Sequence, residues 1–326
     1  MTDATQRPFA EWIGRTSESE DDVNARLDAS FRAIFAPNLA PVGEGEAPLG
    51  IHWCLSPPIA SMAELGPDGH PAKNLNLPPV PQPRRMWAGG EIETLDTIRV
   101  GDRVRRVSTI RDITCKQGRS GELWFVAVDH EYFTPRGLAI RERHDIVYRE
   151  AAKPQQVSPL HAPPRKGEGG GITIASSATA APAQAGAEAS PSSPPSCGEG
   201  PGVGVPGATG GHKPRDGWLV ETPPTLLFRY SAITFNGHRI HYDLPYATGV
   251  EGYPGLVVHG PIQATLLYNL AAVRAGKPPK RFTYRGLSPA FANAPILVRP
   301  DPEREGRLRT ESVSGTVHME AVTEFA

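Results

Sequence analysis

The chain has 326 residues, enough for one or two hydrophobic cores without disulfide or metal staples. Its 34 basic residues nearly cancel its 35 acidic ones, which excludes the one-signed surface of a protein that lives on nucleic acid or an anionic membrane. Cys54, Cys115 and Cys197 are odd in number and lack metal-ligand spacing, so they read as reduced thiols and no metal is expected. The start Met-Thr-Asp-Ala-Thr-Gln has neither the basic region nor the apolar stretch of an export signal. The most apolar run, 255–275, is broken by His259, Gln263, Asn269 and Arg274. A cytoplasmic location with no membrane span is therefore expected.

In chain order, Val23, Leu27, Phe31 and Ile34 recur at helical spacing and predict a helix over 21–35. Short alternating runs predict strands over 90–94, 103–112, 123–132 and 138–148, with Gly101-Asp102 and Gln117-Gly118 supplying turns. From 154 to 216 Pro, Gly, Ala and Ser crowd out large apolar residues, the composition of a flexible connector that cannot bury enough to fold. Gly167 to Gly171, within it, lacks the Lys-Ser/Thr and preceding strand of a phosphate loop. Beyond the connector, 225–232 reads as a strand. A polar stretch follows, then a helix that starts at His259-Gly260, keeps Ile262, Leu266, Leu267, Leu270 and Val273 in an i, i+3, i+4 rhythm, and ends at Gly276. Strands are predicted over 281–286, 295–299 and 313–322. A long helix cradled by a curled antiparallel sheet is an α+β unit.

Chemistry concentrates in Phe235-Asn-Gly-His-Arg-Ile-His-Tyr-Asp243 and in His259-Gly260. A histidine titrates near neutral pH, so His241 can take a proton from water and return it. Addition of water to a conjugated thioester also needs its carbonyl oxygen stabilised as the enolate forms. The N-terminus of the long helix offers free N–H groups for that charge, and Gly260 leaves the backbone open to close approach. His241 is thus assigned proton transfer and Gly260 the oxyanion contact.

The run from Tyr230 to Asp243 with Gly255 to Gly260 resembles the hydratase motif of the MaoC-like (R)-specific enoyl-CoA hydratases. Within that family the closer likeness is to the bacterial mesaconyl-C4-CoA (3-methylfumaryl-CoA) hydratases. Its motifs span the chain: Trp12-Ile-Gly-Arg-Thr16, Glu64-Leu-Gly-Pro-Asp-Gly-His70, Pro79-Val-Pro-Gln-Pro-Arg-Arg-Met-Trp-Ala-Gly-Gly90, Gly118-Arg-Ser-Gly121, His144-Asp-Ile-Val-Tyr-Arg149 and Arg285-Gly-Leu-Ser-Pro289. The resemblance implies a double hot-dog, two curled antiparallel sheets each around a long helix. Residues 1–153 would form an N-terminal hot-dog largely without catalytic residues, and 217–326 a C-terminal one with the motif. It implies an acyl-CoA substrate lying between the halves, hydration of mesaconyl-C4-CoA to citramalyl-CoA, reversibly, and no cofactor beyond the CoA of the substrate. A homodimer is compatible with it.

Where the MaoC pattern has its catalytic Asp, this chain has Asn236, which can hold a water but cannot accept its proton. The catalytic candidates are therefore His241, Asn236 and Asp243. The substrate and oxyanion candidates are Gly260, His259, His238 and Arg239. His238 and His259 suit loop architecture as well as substrate contact, and Arg239 suits either a substrate carboxylate or a salt bridge. Arg84 and Arg85 invite the carboxylate idea too, although arginines after prolines commonly form a solvated edge. Two alternatives keep the fold: a 3-hydroxyacyl-thioester dehydratase or thioesterase, and a non-catalytic acyl-CoA-binding protein. Asn236 weighs against a thioesterase, which needs an acidic group there.

Overall fold

The computed structural model describes residues 8–118, 121–150 and 216–326. The expected connector lies, up to residue 215, outside the described residues, as do Cys197 and the Arg119-Ser120 pair of one motif. The described residues together make one compact unit.

The N-terminal half contributes β1 (Thr16–Asp22), α1 (Ala25–Phe35), β2 (Arg84–Thr94), β3 (Arg103–Gly118), β4 (Gly121–Thr134) and β5 (Gly137–Arg149). The C-terminal half contributes β6 (Trp218–Val220), α2 (Pro224–Ile233), α3 (Leu244–Gly249), α4 (Gly260–Ala275), β7 (Arg281–Gly286), β8 (Ile296–Pro300), β9 (Arg307–Ser312) and β10 (Val317–Glu324). All ten strands join one antiparallel sheet in the order β1-β3-β4-β5-β2-β7-β10-β9-β8-β6. The halves meet at the β2–β7 pair, with Gly90 opposite Tyr284 and Ile92 opposite Phe282. The fold is the expected double hot-dog, its two sheets fused edge to edge.

One core runs through both halves. Leu27, Phe31 and Phe35 of α1 pack in the same cluster as Leu227 and Tyr230 of α2 and the apolar side of α4. In α4 every residue from Ile262 to Ala272 is buried, the pattern of a central helix with no solvent face. Asn269, also buried, fastens it to the N-terminal half: its Oδ1 accepts from Ala40 N (3.0 Å) and its Nδ2 donates to Leu49 O (3.0 Å).

Three sequence expectations are corrected. Residues 225–232, expected as a strand, lie in α2: Pro224 begins the helix, and the buried residues Leu227, Tyr230 and Ser231 sit at helical spacing. The first expected helix starts at Ala25, where the Asn24 side chain accepts from Leu27 N (2.9 Å); the residues ahead of it form β1 against β3. The last expected strand begins only at Val317, and β9, which was not foreseen, precedes it.

Candidate active site

Between α2 and α4 the chain makes a polar loop. It opens at Phe235, whose φ of 46° is left-handed, and closes on the short helix α3. Asn236 sets its shape: Asn236 N donates to Ser231 O (2.9 Å) and its Oδ1 accepts from His238 N (3.0 Å). The result is a stack of imidazoles. The ring of His241 lies parallel to that of His259, centroids 3.5 Å apart, and edge-on to that of His238 at 5.3 Å.

His241 is buried, and its Nδ1 donates to the Val257 carbonyl (2.7 Å). A carbonyl can only accept, so the proton of the neutral ring sits on Nδ1 and the lone pair on Nε2. Burial pushes His241 down to about 3, against a partial upward pull from Val257, so the ring is neutral at physiological pH. His238 and His259 are likewise pushed down, first by burial and then by neighbouring imidazoles. His259 Nε2 lies 2.9 Å from Ser231 Oγ; its Nδ1 and the Tyr230 hydroxyl are buried without a hydrogen-bond partner among the described residues.

His259, whose ring stacks on His241, is the N-cap of α4, and the residue after it, Gly260, carries the first amide of the helix, which has no intrahelical partner. Pro261 has no N–H to compete. The expectation that Gly260 leaves room for a ligand needs a correction: a Cβ there would lie 2.5 Å from the Trp87 ring, so the glycine is required by that tryptophan of β2.

The N-terminal half reaches the same place through the loop before β2. Arg239 N donates to Asp68 O (2.9 Å), and a Cβ on Gly69 would lie 2.0 Å from Gly237 O, so only glycine lets the two loops meet. This contact seats His70 over His238, ring centroids 4.1 Å apart, while Asp68 Oδ2 accepts from His70 Nδ1 (3.0 Å). Burial would raise the Asp68 carboxyl, but hydrogen bonds and charge from His70 outweigh it and hold Asp68 below its usual value. The ligating atoms of Asp68, His70 and His238 fall within 4.8 Å of one another. Two Asp68–His70 hydrogen bonds and the His70–His238 ring contact hold the three together.

These groups line a cavity of about 1290 Å³, and residues of both halves surround it: His70, Arg85 and Trp87 from one, Asn236, His238, His241, His259 and Gly260 from the other. Exposed Ile59, Met62, Phe228 and Phe235 give it an apolar rim. Asp243 is placed differently from the catalytic expectation, and Arg239 takes the salt-bridge alternative rather than the substrate one. Asp243 caps α3, accepting from Tyr246 N (3.1 Å), and takes two bonds from Arg239 (2.8 and 2.9 Å). Arg239 also donates to Pro67 O and lies over the Tyr246 ring at 4.1 Å; neither residue lines the cavity. The sequence reading gave no role to Asp68, His70, Trp87 or Ser231. All four stand inside the motifs quoted above, but nothing local joins the first three to a loop so far along the chain.

The double hot-dog thus carries a neutral imidazole and a helix-terminal amide on the wall of a cavity that both halves line. Residues 50–176 and 212–292 match the family model of hydroxyacyl-thioester dehydratase type 2, and the chain belongs to that family and is a hydro-lyase. It is 37% identical over 318 residues to the mesaconyl-C(4)-CoA hydratase of Chloroflexus aurantiacus, covering 96% of each chain. In fold it is similar to a MaoC-like dehydratase from Phytophthora capsici (TM-score 0.58, 14% identity, 96% of each chain). It is also similar to HtdX of Mycobacterium tuberculosis (TM-score 0.57, 16% identity, 95% of this chain and 99% of that one). Among the described residues no helix is long and apolar enough to cross a membrane.

Proposed function

We propose that the protein hydrates mesaconyl-C4-CoA to citramalyl-CoA, reversibly, with His241 as the proton-transfer group. The observation that carries this is the fixed tautomer of His241, stacked on the N-cap residue of α4, in a chain whose full-length likeness is to a mesaconyl-C(4)-CoA hydratase. The thioester carbonyl takes the Gly260 N–H. A water held by the Asn236 side chain attacks the β-carbon, its proton passes to His241 Nε2, and the electron pair of the double bond moves onto the thioester oxygen as an enolate. The enolate then takes the proton back at the α-carbon, which returns His241 to its neutral form. Atoms balance with protein groups and water alone.

Asn236 cannot share the proton, which leaves His241 to carry it in both steps. Val257 prepares the ring for this: a carbonyl on Nδ1 favours the imidazolium that forms for a moment, against the burial that opposes it. The reverse direction is dehydration of a 3-hydroxyacyl thioester, the reaction in the family's name.

The test follows loss of the enoyl-thioester absorbance with mesaconyl-C4-CoA, mesaconyl-C1-CoA, itaconyl-CoA and crotonyl-CoA, with free thiol measured in parallel. Hydration fastest on mesaconyl-C4-CoA without CoA release is expected. Rapid thiol release, or a His241→Ala protein that hydrates at the normal rate, would sink the reading.

A further inference from the structure

Four arginines line the cavity, and three of them are occupied. Arg15 donates from Nε to the Glu11 carbonyl (2.9 Å) and lies over the Trp12 ring. Arg106 donates to the carbonyls of Leu55 (3.2 Å) and Ser56 (2.6 Å). Arg149 donates to the Tyr253 hydroxyl (3.0 Å). Arg85 alone among the described residues of this lining is an arginine with no hydrogen bond or ion pair, although it is half-buried. Its neighbour Arg84 is tied to Glu251 at 2.5 Å, and Arg239, the other candidate for an acidic substrate group, is tied to Asp243.

A half-buried guanidinium with five unused donors is matched by an anion, above all a carboxylate, which it can grip with two parallel bonds. Its position says which anion. Arg85 lies opposite Tyr148 on β2 and two residues before Trp87, so the two residues share a face of the strand and their backbones are about 7 Å apart. Trp87 is the ring against Gly260, the amide assigned to the thioester oxygen. Arg85 therefore stands at the reacting end, where the acyl chain ends, and not out along the pantetheine arm where the CoA phosphates lie. Asp68 offsets part of its charge, since the two attract, but takes none of its donors: they make no hydrogen bond or ion pair, and both Asp68 oxygens accept from His70, at 3.0 Å from Nδ1 and 3.2 Å from the backbone N. The charge of Arg85 is nevertheless felt there, since it adds to the burial that lowers His70.

We propose that Arg85 is the binding site for the free carboxylate of a dicarboxylic acyl-CoA and sets the preference for such substrates over plain acyl chains. This rests on the hydration reading for the placement of the thioester, and deepens it. In mesaconyl-C4-CoA the carboxylate is borne by the carbon that water attacks, so an arginine holding it also orients that carbon toward His241.

The test uses binding of saturated, unreactive analogues to the full-length protein, followed by calorimetry. One is 3-carboxybutyryl-CoA; the other is 3-methylbutyryl-CoA, the same skeleton with a methyl in place of the carboxylate. Wild type is expected to favour the first, and Arg85→Gln to shrink the ratio of the two dissociation constants by about 30- to 100-fold, the loss of one charged hydrogen-bonding contact. Arg85→Lys, which keeps the charge but not the fork, is expected to fall between them. A ratio that stays put, or equal weakening of both ligands, overturns the assignment. Because no turnover is read, a protein that hydrates none of the enoyl-CoAs above defeats the hydration reading while this ratio still answers for Arg85.

Discussion

Glu142 in the N-terminal half and His241 in the C-terminal half are both buried polar groups, and they differ in what is left unbonded around each. Glu142 Oε1 accepts from Trp53 Nε1 (2.6 Å) and His144 Nε2 (2.7 Å), its Oε2 accepts from Tyr132 OH (3.1 Å), and Tyr284 OH adds a longer contact at 3.4 Å. Burial would raise its carboxyl, but His144 and His52 outweigh that and keep it well below the carboxylate range. A buried charge that accepts from this many groups is a structural anchor for the fused sheets, although His52 Nε2, 3.7 Å from Oε2, makes no hydrogen bond. Around His241 the count is incomplete: one ring nitrogen is fixed by Val257, and nearby His259 Nδ1 and Tyr230 OH lack partners. Unmet hydrogen-bonding capacity on a cavity wall is capacity for a ligand.

If that contrast is right, substitutions at the two centres should have opposite signatures. His241→Ala is expected to lower kcat by about 10³-fold, within the usual range for loss of a general acid–base group, with little change in the denaturation midpoint. Glu142→Gln is expected to do the reverse. It leaves four donors facing a neutral amide and should cost about 3 kcal/mol of stability, read from urea unfolding, while kcat of the folded fraction changes less than threefold. Equal loss of activity in both proteins would erase the distinction.

Gly260 lies where the halves touch and should show both effects at once. Gly260→Ala drives a Cβ into the Trp87 ring, expected to cost about 1–3 kcal/mol and to displace the amide that the proposed mechanism places on the thioester oxygen. Adding Trp87→Leu should recover part of the stability, and a double-mutant cycle measures the coupling. Additive losses would show that the two residues do not share that space.

The imidazole stack also dictates a pH dependence. In the unfolded chain histidines titrate near their ordinary value of about 6.5. Folded His241 titrates near 3, and His238 and His259 are lowered as well. Between those values the unfolded state binds protons that the folded state refuses. Stability should therefore be level above about pH 7 and fall as the pH drops below about 6.5, by up to ~1.4 kcal/mol per pH unit for each such histidine. Urea midpoints from pH 8 to pH 5 read this, and His241→Asn should make the fall shallower. Activity, by contrast, should show no imidazole limb between pH 6 and 8, because the ring is already neutral.

The two halves were unequally readable from sequence. The bounds of α4 and β7 follow from the sequence because their signals are local: an apolar rhythm closed by Gly276, and a short alternating run. In α2, Thr, Phe, Tyr and Ile have strand-like preferences, and tertiary packing of Leu227 and Tyr230 in the shared core overrides them. The strand β1 is dominated by Ser, Glu and Asp, with no apolar alternation, and is held by pairing with β3 at the sheet edge. For the site, His241 and Gly260 could be paired in advance because one loop and one helix start carry them. Asp68 and His70 could not, since the contacts that seat them, Arg239 N with Asp68 O and Gly69 against Gly237, join loops far apart in the chain.

Asp243 gives the smallest expected effect and the sharpest check on which polar groups work and which hold the loop. Sequence alone makes it the nearest carboxylate to His241 and hence a catalytic candidate, whereas its two oxygens are used by the Tyr246 amide and the Arg239 guanidinium. Those hydrogen bonds, with Arg239 the larger influence, hold its carboxyl below the usual range. Asp243→Asn keeps an acceptor for the helix cap and removes only the ion pair, which is partly exposed and so worth little. Asp243→Ala also removes the cap, worth about 1 kcal/mol. The expected series is therefore a small drop in melting temperature for Asn, a larger one for Ala, and kcat within about twofold of wild type for Asn at saturating substrate. A hundredfold loss of kcat in the folded Asn protein would return Asp243 to the proton-transfer machinery and leave His241 with a partner that this geometry does not provide.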